Sequence, residues 1–270
     1  RPGPQRASIP LGPFAKKRHS YFLHRGFSRL LFYAIIDAPR QKPQKHDGTA
    51  PVLSEGGFME ENTKVLAIIA ALQAAYPEPR CALEYQKDYE LMVAVRLSAQ
   101  CTDARVNEVT PVLFAAYPTL EALANADIAH VEELVHSCGF YKNKAREIVL
   151  ACRMLLTDYG GKVPGTMQEL LRLPGVGRKT ANLLLGDLYH APGAVVCDTH
   201  CIRISNRLGL AQGKEPEKVE RQLRAILPPE ESSDFCHRLV LHGRAVCTAR
   251  SPKCGGCTLA PHCAFVNGAG

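Results

Sequence analysis

A glycine-containing turn that leads directly into a lysine-bearing helix is the segment of this chain best suited to chemistry on a phosphate-linked substrate. It reads Leu173-Pro174-Gly175-Val176-Gly177-Arg178-Lys179-Thr180-Ala181-Asn182. Glycines let a backbone approach a ligand closely, and free N–H groups at the positive end of a helix dipole bind anions such as a phosphate diester. The same dipole disfavours a second positive charge, so we expect Lys179 to hold a larger share of free amine. A free amine beside a captured nucleic-acid backbone predicts Schiff-base chemistry on a sugar carbon.

Ordinary structural interpretations compete with this chemistry. Most lysines in the first turn of a helix are solvated surface residues. Asp198 opens the stretch Asp198-Thr199-His200 and has the residue type and position of a helix N-cap. The catalytic interpretation depends on a third feature, near the end of the chain.

Four of the eleven cysteines lie close together in the sequence, with the spacing Cys-x6-Cys-x2-Cys-x5-Cys. They are Cys247, Cys254, Cys257 and Cys263. The other seven are scattered, as is usual for reduced cysteines, and an odd total argues against a disulfide framework. Four soft ligands on so short a loop predict a metal centre. Zinc and a [4Fe–4S] cluster both accept four thiolates, and the unequal gaps favour the cluster.

The region around this loop is locally basic. Residues 235–270 contain no Asp or Glu, yet they carry Arg238, Arg244, Arg250 and Lys253. The loop from Thr248 to Lys253 is therefore suited to lie along DNA phosphates. The alternative is a solvated basic tail.

The lysine hairpin, the Asp-Thr-His stretch and the cysteine quartet, in this order, resemble the endonuclease III family of DNA glycosylases over about residues 61–264. Further motifs carry the same resemblance: Leu97-Ser98-Ala99-Gln100-Cys101-Thr102-Asp103, Gly139-Phe140-Tyr141, Val196-Cys197-Asp198-Thr199-His200, Asn206-Arg207-Leu208-Gly209 and Leu241-His242-Gly243-Arg244.

The resemblance implies an all-α fold of two lobes. A six-helix barrel is expected over residues 81–191, and it contains the helix-hairpin-helix at about 167–190. Residues 59–80 and 192–270 are expected to form the iron–sulfur cluster lobe, with the cluster loop at 247–263. The active cleft would then lie between the lobes, because the lobe boundary falls between Lys179 and Asp198.

The resemblance also implies roles for individual residues. Lys179 would be the nucleophile and Asp198 the catalytic carboxylate, while Gln100 and Phe140 would fill the hole left by a flipped base. The four clustered cysteines would hold the [4Fe–4S] cofactor. Asp103 is expected either to take part in the chemistry or to brace a helix. The expected DNA contacts are Pro174, Gly175, Val176, Gly177, Arg178, His200, Arg250 and Lys253.

Two residue choices indicate the branch of the family. Adenine-specific relatives usually lack the hairpin lysine and carry a Glu in the early Gln-containing motif, whereas this chain has Lys179 and no Glu between residues 97 and 103. We therefore expect a glycosylase of base-excision repair that releases damaged, oxidised pyrimidines and cleaves the strand by β-elimination. Its expected partner is double-stranded DNA containing damaged pyrimidines or abasic sites. The alternatives are a monofunctional glycosylase of the same fold and a metal-stabilised DNA-binding module without catalysis.

We further expect a monomer without a membrane association, in the cytoplasm and at the nucleoid of a bacterial-type cell. No apolar run reaches membrane-spanning length.

The first 58 residues differ in composition from the rest. They hold ten Lys and Arg against three acids, which leaves 23 residues of each sign for residues 59–270. The net charge of +7 therefore resides in this leader, for which we expect mostly disorder. A transit peptide and a DNA-gripping arm are two interpretations. We favour the hypothesis of translated upstream sequence before a start at Met59, with Asn62 or Thr63 capping a helix from Lys64 to Ala75.

Overall fold

The structure is a computed structural model that describes residues 55–268, with side chains from residue 62. These residues form eleven α-helices and no strand, which confirms the all-α prediction. The helices are α1 Glu55–Ala75, α2 Asp88–Ser98, α3 Asp103–Ala116, α4 Leu120–Ala124, α5 Ile128–Val135, α6 Tyr141–Asp158, α7 Met167–Leu170, α8 Arg178–Tyr189, α9 Thr199–Leu208, α10 Pro216–Ile226 and α11 Ser232–Ala245. Short 3-10 turns add His136–Cys138, Pro229–Glu231, Cys254–Gly256 and Ala260–His262. In the part of the chain that is described, no helix has both the length and the apolar character needed to cross a membrane.

Side-chain caps explain where several of these helices begin. Thr119 caps α4 through the N–H of Ala122, and Thr166 caps α7 through the N–H of Glu169. Each hydroxyl satisfies one N–H group that has no partner inside the helix. Asp127 caps α5 in the same way.

The start of α1 corrects one expectation. The helix begins at Glu55 rather than at Lys64, so it includes Met59, Asn62 and the last residues of the predicted leader. Asn and Thr cost only up to about 0.7 kcal/mol inside a helix, so their presence does not force a cap. The predicted disorder of the leader covered residues 1–58, of which residues 55–58 are helical in α1 and residues 1–54 lie outside the described residues.

One hydrophobic cluster is built around α2. Leu91, Val93, Ala94 and Leu97 of this helix are fully buried, so α2 is surrounded by other helices instead of presenting one face. Helices α3, α6 and α8 pack against it, and α6 makes extensive contacts with α4 and α5 within the same cluster.

A second hydrophobic cluster combines α1 with α9, α10 and α11. Helices α9 and α11 approach closely because Gly243 has no side chain: a Cβ there would stand 2.5 Å from Cδ2 of His200. Leu183 of α8 packs against both clusters. The exact lobe bounds given above stay a prediction.

Candidate active site and cysteine loop

The turn between α7 and α8 has the geometry that its glycines suggest. Gly175 has φ +75°, and a Cβ there would lie 2.6–2.7 Å from Arg96 and Glu147, which form an ion pair behind the turn. Gly177 is the N-cap of α8, and no side chain in the described part of the chain caps that helix. No heavy atom lies within 4 Å of a Cβ built on Gly177. The start of α8 is therefore uncapped by side chains, and its first N–H groups are the candidates for binding an anion.

Lys179 and Asp198 line the same pocket. Lys179 is the second residue of α8, and Asp198 immediately precedes α9. The pocket has a volume of about 200 Å³ and is walled further by Cys81, Cys236 and His237. The predicted juxtaposition of an amine and a carboxylate is thus present across a shared pocket.

Asp198 performs the predicted capping role and still faces this pocket. Its Oδ1 accepts a hydrogen bond from the N–H of Cys201 at 2.7 Å, and its Oδ2 lies 3.1 Å from Nδ1 of His200. The Asp198 side chain is 16% exposed. The cap and the neighbouring imidazole fix the carboxylate in one orientation, so the structural interpretation and the catalytic one are compatible.

The rim of the pocket carries the expected Asp103. Its carboxylate accepts a hydrogen bond from Arg244 at 2.6 Å, and both residues line the pocket. This ion pair joins the start of α3 to the last turn of α11, which is the bracing role foreseen as one alternative for Asp103.

A buried ion pair beside the pocket was not anticipated from the sequence. Nε2 of His237 on α11 lies 2.7 Å from Asp187 on α8, and both side chains are about nine-tenths buried. Burial alone lowers the pKa of His237, but the hydrogen bond and the negative charge of Asp187 outweigh it, so the pKa is raised overall. Burial, with the charge of Asp187, also raises the pKa of the Cys81 thiol to about 12.

His237 and Cys81 also line a larger neighbouring cavity of about 560 Å³, which includes Asp187 and Asp234. An Asp and a His fifty residues apart, on separate helices, give no local sequence signal.

Gln100 and Phe140 have an unusual backbone in common. Both are exposed and both adopt left-handed conformations, with φ +55° and +46°. Phe140 is 67% exposed, which is high for an aromatic side chain. Non-glycine residues reach this region at a cost of about 1–2 kcal/mol, and such strain is concentrated at functional sites. The insertion of Gln100 and Phe140 into DNA remains a prediction, and the exposure of both side chains favours it.

The remaining expected DNA contacts fall into different environments. Pro174 is half-buried, and Val176 is 7% exposed, so Val176 offers its backbone rather than its side chain. Arg178 forms a two-pronged ion pair with Glu220, at 2.7 and 2.8 Å. A phosphate would therefore share this guanidinium with Glu220.

The two basic residues of the cysteine loop are exposed. Arg250 and Lys253 both face solvent, and Nζ of Lys253 donates to the carbonyl of Ala245 at 3.2 Å. Their predicted contact with phosphates remains a prediction.

The four predicted cysteine ligands all belong to the loop 247–263. Their thiols are free, and the loop contains no carboxylate. The pKa of Cys257 is raised by burial and further by the charges of Cys247, Cys254 and Cys263, so the four thiols are electrostatic neighbours. Among residues 55–268, no group of three or more His, Cys, Asp or Glu is arranged to hold a single metal ion. Four free thiols on one short loop are the donor set of a [4Fe–4S] cluster, so the residues fit this group.

Arg207, in the last turn of α9, fastens the cysteine loop to that helix. Its Nη1 donates to Sγ of Cys247 at 3.2 Å and to the carbonyl of Thr248 at 2.8 Å. Its Nη2 donates to the carbonyl of Ala249 at 2.9 Å, and its guanidinium lies over the ring of Phe265. A charged donor that binds the sulfur of a cysteine ligand orients this ligand and tunes the properties of the metal centre that the ligand holds.

Comparison with known families gives two matches along this chain. Residues 93–229 match the HhH-GPD superfamily of base excision DNA repair proteins. Residues 247–263 match the iron–sulfur binding domain of endonuclease III, which confirms the expected [4Fe–4S] cofactor.

Curated relatives share most of their length with this chain. Endonuclease III of Synechocystis sp. (strain ATCC 27184 / PCC 6803 / Kazusa) is 48% identical over 196 residues, which is 73% of this chain and 90% of that protein. Endonuclease III of Escherichia coli (strain K12) is 39% identical over 202 residues, which is 75% of this chain and 95% of that protein.

Solved structures agree with these sequence relatives. A trapped covalent intermediate of endonuclease III with DNA is 38% identical, with a TM-score of 0.72 over 77% of this chain and 98% of that one. A thermostable thymine-DNA glycosylase, at 20% identity and a TM-score of 0.66 over 77% of this chain and 98% of that one, shares the fold. Together with the shared pocket and the cysteine loop, these matches show that the chain belongs to the endonuclease III family of base-excision DNA repair enzymes.

Proposed function

We propose that this enzyme releases oxidised pyrimidines from double-stranded DNA and then cleaves the strand at the abasic site through a Schiff base on Lys179. The observation that carries the proposal is the pocket that Lys179 and Asp198 line together, beside the start of α8, which no side chain caps among the described residues. An amine, a carboxylate and an anion site within one cleft are the groups that this reaction requires.

The DNA backbone is held at phosphates, without reading the sequence. The N–H groups at the start of α8 bind one phosphate, and the exposed Arg250 and Lys253 bind others. The damaged base is rotated out of the stack, because its glycosidic bond cannot be reached inside the duplex. Gln100 and Phe140 then occupy the gap.

The chemistry begins when the Lys179 amine attacks C1′ and the base departs with the electrons of the glycosidic bond and a proton. Asp198 takes up the proton released by the amine and stabilises the positive charge that develops on the sugar. The sugar ring then opens as the C1′–O4′ bond breaks and O4′ takes up the proton held by Asp198, which yields the protonated Schiff base. This group accepts the electrons released when the proton leaves C2′, and they then expel the 3′ phosphate. Water finally hydrolyses the imine and restores Lys179.

Cys247, Cys254, Cys257 and Cys263 hold the [4Fe–4S] cluster in this proposal. The bound cluster cross-links the loop and thereby keeps its basic residues positioned for DNA. We further propose that the enzyme acts as a monomer in the cytoplasm, at the nucleoid.

Trapping with borohydride tests the proposal. Reduction converts the imine between Lys179 and C1′ into a stable amine, so the enzyme becomes covalently attached to a duplex that contains an abasic site. Lys179→Gln is expected to abolish this adduct while DNA affinity stays within about threefold, because the phosphate contacts remain. Lys162→Gln changes an exposed lysine outside the pocket and should trap normally.

Two outcomes would support the alternatives instead. Base release without trapping by the unaltered protein would indicate a monofunctional glycosylase. DNA binding without base release or trapping would indicate a DNA-binding module.

A further inference from the structure

Lys144, on α6, is buried to an extent that is rare for a lysine. It is 1% exposed, and among residues 55–268 no carboxylate contributes to its electrostatic surroundings. Burial lowers the pKa of its ammonium group. A lysine without an ionic partner is expensive to bury, so its hydrogen bonds must compensate.

The two acceptors of Lys144 lie at the ends of two separate segments. Its Nζ donates to the carbonyl of Leu97 at 2.8 Å and to the carbonyl of Cys138 at 2.6 Å. Leu97 lies in the last turn of α2, and Cys138 ends the 3-10 turn after α5. Carbonyls in these positions have no helical N–H partner, so a buried donor is what they need.

Each of these carbonyls lies two or three residues before one of the left-handed, exposed residues Gln100 and Phe140. Leu97 precedes Gln100 by three residues, and Cys138 precedes Phe140 by two. The backbone N–H of Lys144 additionally donates to the carbonyl of Phe140 at 3.2 Å. The same lysine therefore contacts the backbone at the start of both loops.

We propose that Lys144 is a positioning residue that holds the loops of Gln100 and Phe140 at a fixed separation, so that both side chains enter the DNA together. The inference rests on the proposed function, in which these two side chains fill the gap left by a flipped base. The loops connect different pairs of helices, α2 to α3 and α5 to α6. Their separation therefore depends on side-chain contacts, and the buried ammonium is the donor that they share.

The reaction makes this separation important. Rotating a base out of the stack costs free energy. The inserted side chains offset this cost only when they fit the gap. A misplacement of about 1 Å far from the reacting atoms can slow an enzyme about a hundredfold. A single-stranded abasic site leaves no gap to fill, so cleavage there does not depend on the separation of the two loops.

The test compares two substrates with one variant. Lys144→Met keeps an unbranched side chain, one heavy atom shorter than lysine, but removes its donors. Base release from a duplex that contains thymine glycol should fall about ten- to a hundredfold. Strand cleavage at an abasic site in a single-stranded oligonucleotide should change less than about threefold, so the ratio of the two rates reports on loop position. Affinity for a duplex with a tetrahydrofuran abasic analogue should weaken in parallel with base release.

Three controls separate positioning from stability. Lys142→Met changes an exposed lysine on the same helix and should leave the ratio unchanged. Val149→Ala opens a cavity in the same hydrophobic cluster, so it should lower the thermal midpoint without changing the ratio. In a Gln100→Ala, Phe140→Ala background, Lys144→Met should add less than about twofold, because the side chains it positions are gone.

An unchanged ratio in Lys144→Met, or an equal fall on both substrates, would overturn the inference. If Lys144→Met does not fold, Lys144→Gln, whose amide reaches about one bond less far, is measured in the same way and should lower the ratio. Failure of the proposed function would appear differently, since the unaltered enzyme would then not cleave the abasic oligonucleotide at all. Failure of the insertion roles would appear as an unchanged ratio in the Gln100→Ala and Phe140→Ala proteins.

Discussion

Oδ2 of Asp198 lies 3.1 Å from Nδ1 of His200, while the other oxygen of the same carboxylate caps α9 through the N–H of Cys201. The carboxylate is thus held from two sides by the helix that it begins. A group fixed in this way needs little reorganisation when positive charge develops on the sugar.

Asp198→Asn separates the two roles of this residue. Asparagine is as good an N-cap as aspartate, so the thermal midpoint should change little. The amide carries no negative charge, so base release should slow by about 10²–10⁴-fold. Single-turnover rates on a lesion-bearing duplex measure this effect. Asp198→Ala, which also loses the cap, should additionally lose about 1 kcal/mol of stability. Full activity in the Asn variant would contradict the catalytic role.

Gly175→Ala and Gly177→Ala form a matched pair in the hairpin. An alanine at 175 would occupy a left-handed backbone and collide with Arg96 and Glu147. The free energy of unfolding should therefore fall by about 2 kcal/mol or more, and the thermal midpoint should drop with it. At position 177 the backbone is extended and the space is open, so stability should fall by no more than about 1 kcal/mol.

The DNA affinity of the same pair is the second readout. The new methyl group in Gly177→Ala stands where a phosphate would approach, so affinity should weaken by about tenfold with little change in folding. Titration of each variant with fluorescent duplex, beside its thermal midpoint, checks both expectations. Equal affinity in Gly177→Ala and the unaltered enzyme would argue against a phosphate at this turn.

Cys254→Ser should give a colourless and poorly folded protein, because cluster binding and folding of the loop are coupled. Iron and sulfide content, visible absorption and thermal unfolding measure the loss. Cys152→Ala is the control: this cysteine is buried in the other hydrophobic cluster, so its removal costs packing but should leave the colour intact. A brown, stable Cys254→Ser protein would contradict the ligand assignment.

Asp187→Asn should destabilise the enzyme more at low pH than at high pH. The pKa of His237 is raised in the folded state, so the charged pair stabilises fully below the unfolded pKa of about 6.5 and loses this contribution as pH rises through the folded pKa. The thermal midpoint of the variant should therefore fall well below that of the unaltered enzyme at pH 5.5. The difference should be smaller at pH 9. An equal difference at both values would contradict the ion pair.

Local patterns were sufficient for the helices at the site. The glycine-containing turn predicted the helix that carries Lys179, and the capping residue Asp198 predicted the helix that follows it, because these signals act over a few residues. The start of α1 was missed, since Asn62 and Thr63 suit a cap and yet are tolerated inside a helix. The sequence around these two residues has no local signal that distinguishes a helix start at Asn62 or Thr63 from a helix that begins at Glu55.

The parts of the site that escaped prediction depend on distant partners. The pairing of Arg178 with Glu220 joins residues 42 positions apart, and that of Asp187 with His237 joins residues 50 apart. Neither separation has a periodicity that indicates contact. Lys144 was also unrecognisable, because nothing in its neighbourhood in the sequence reveals that its head group is enclosed.

Helix α9 has ten residues and is about 15 Å long. The Asp198 carboxylate caps its start, and Arg207, which binds the cysteine loop, lies in its last turn. A change in the cysteine loop that displaces Arg207 therefore acts on the same helix that Asp198 caps.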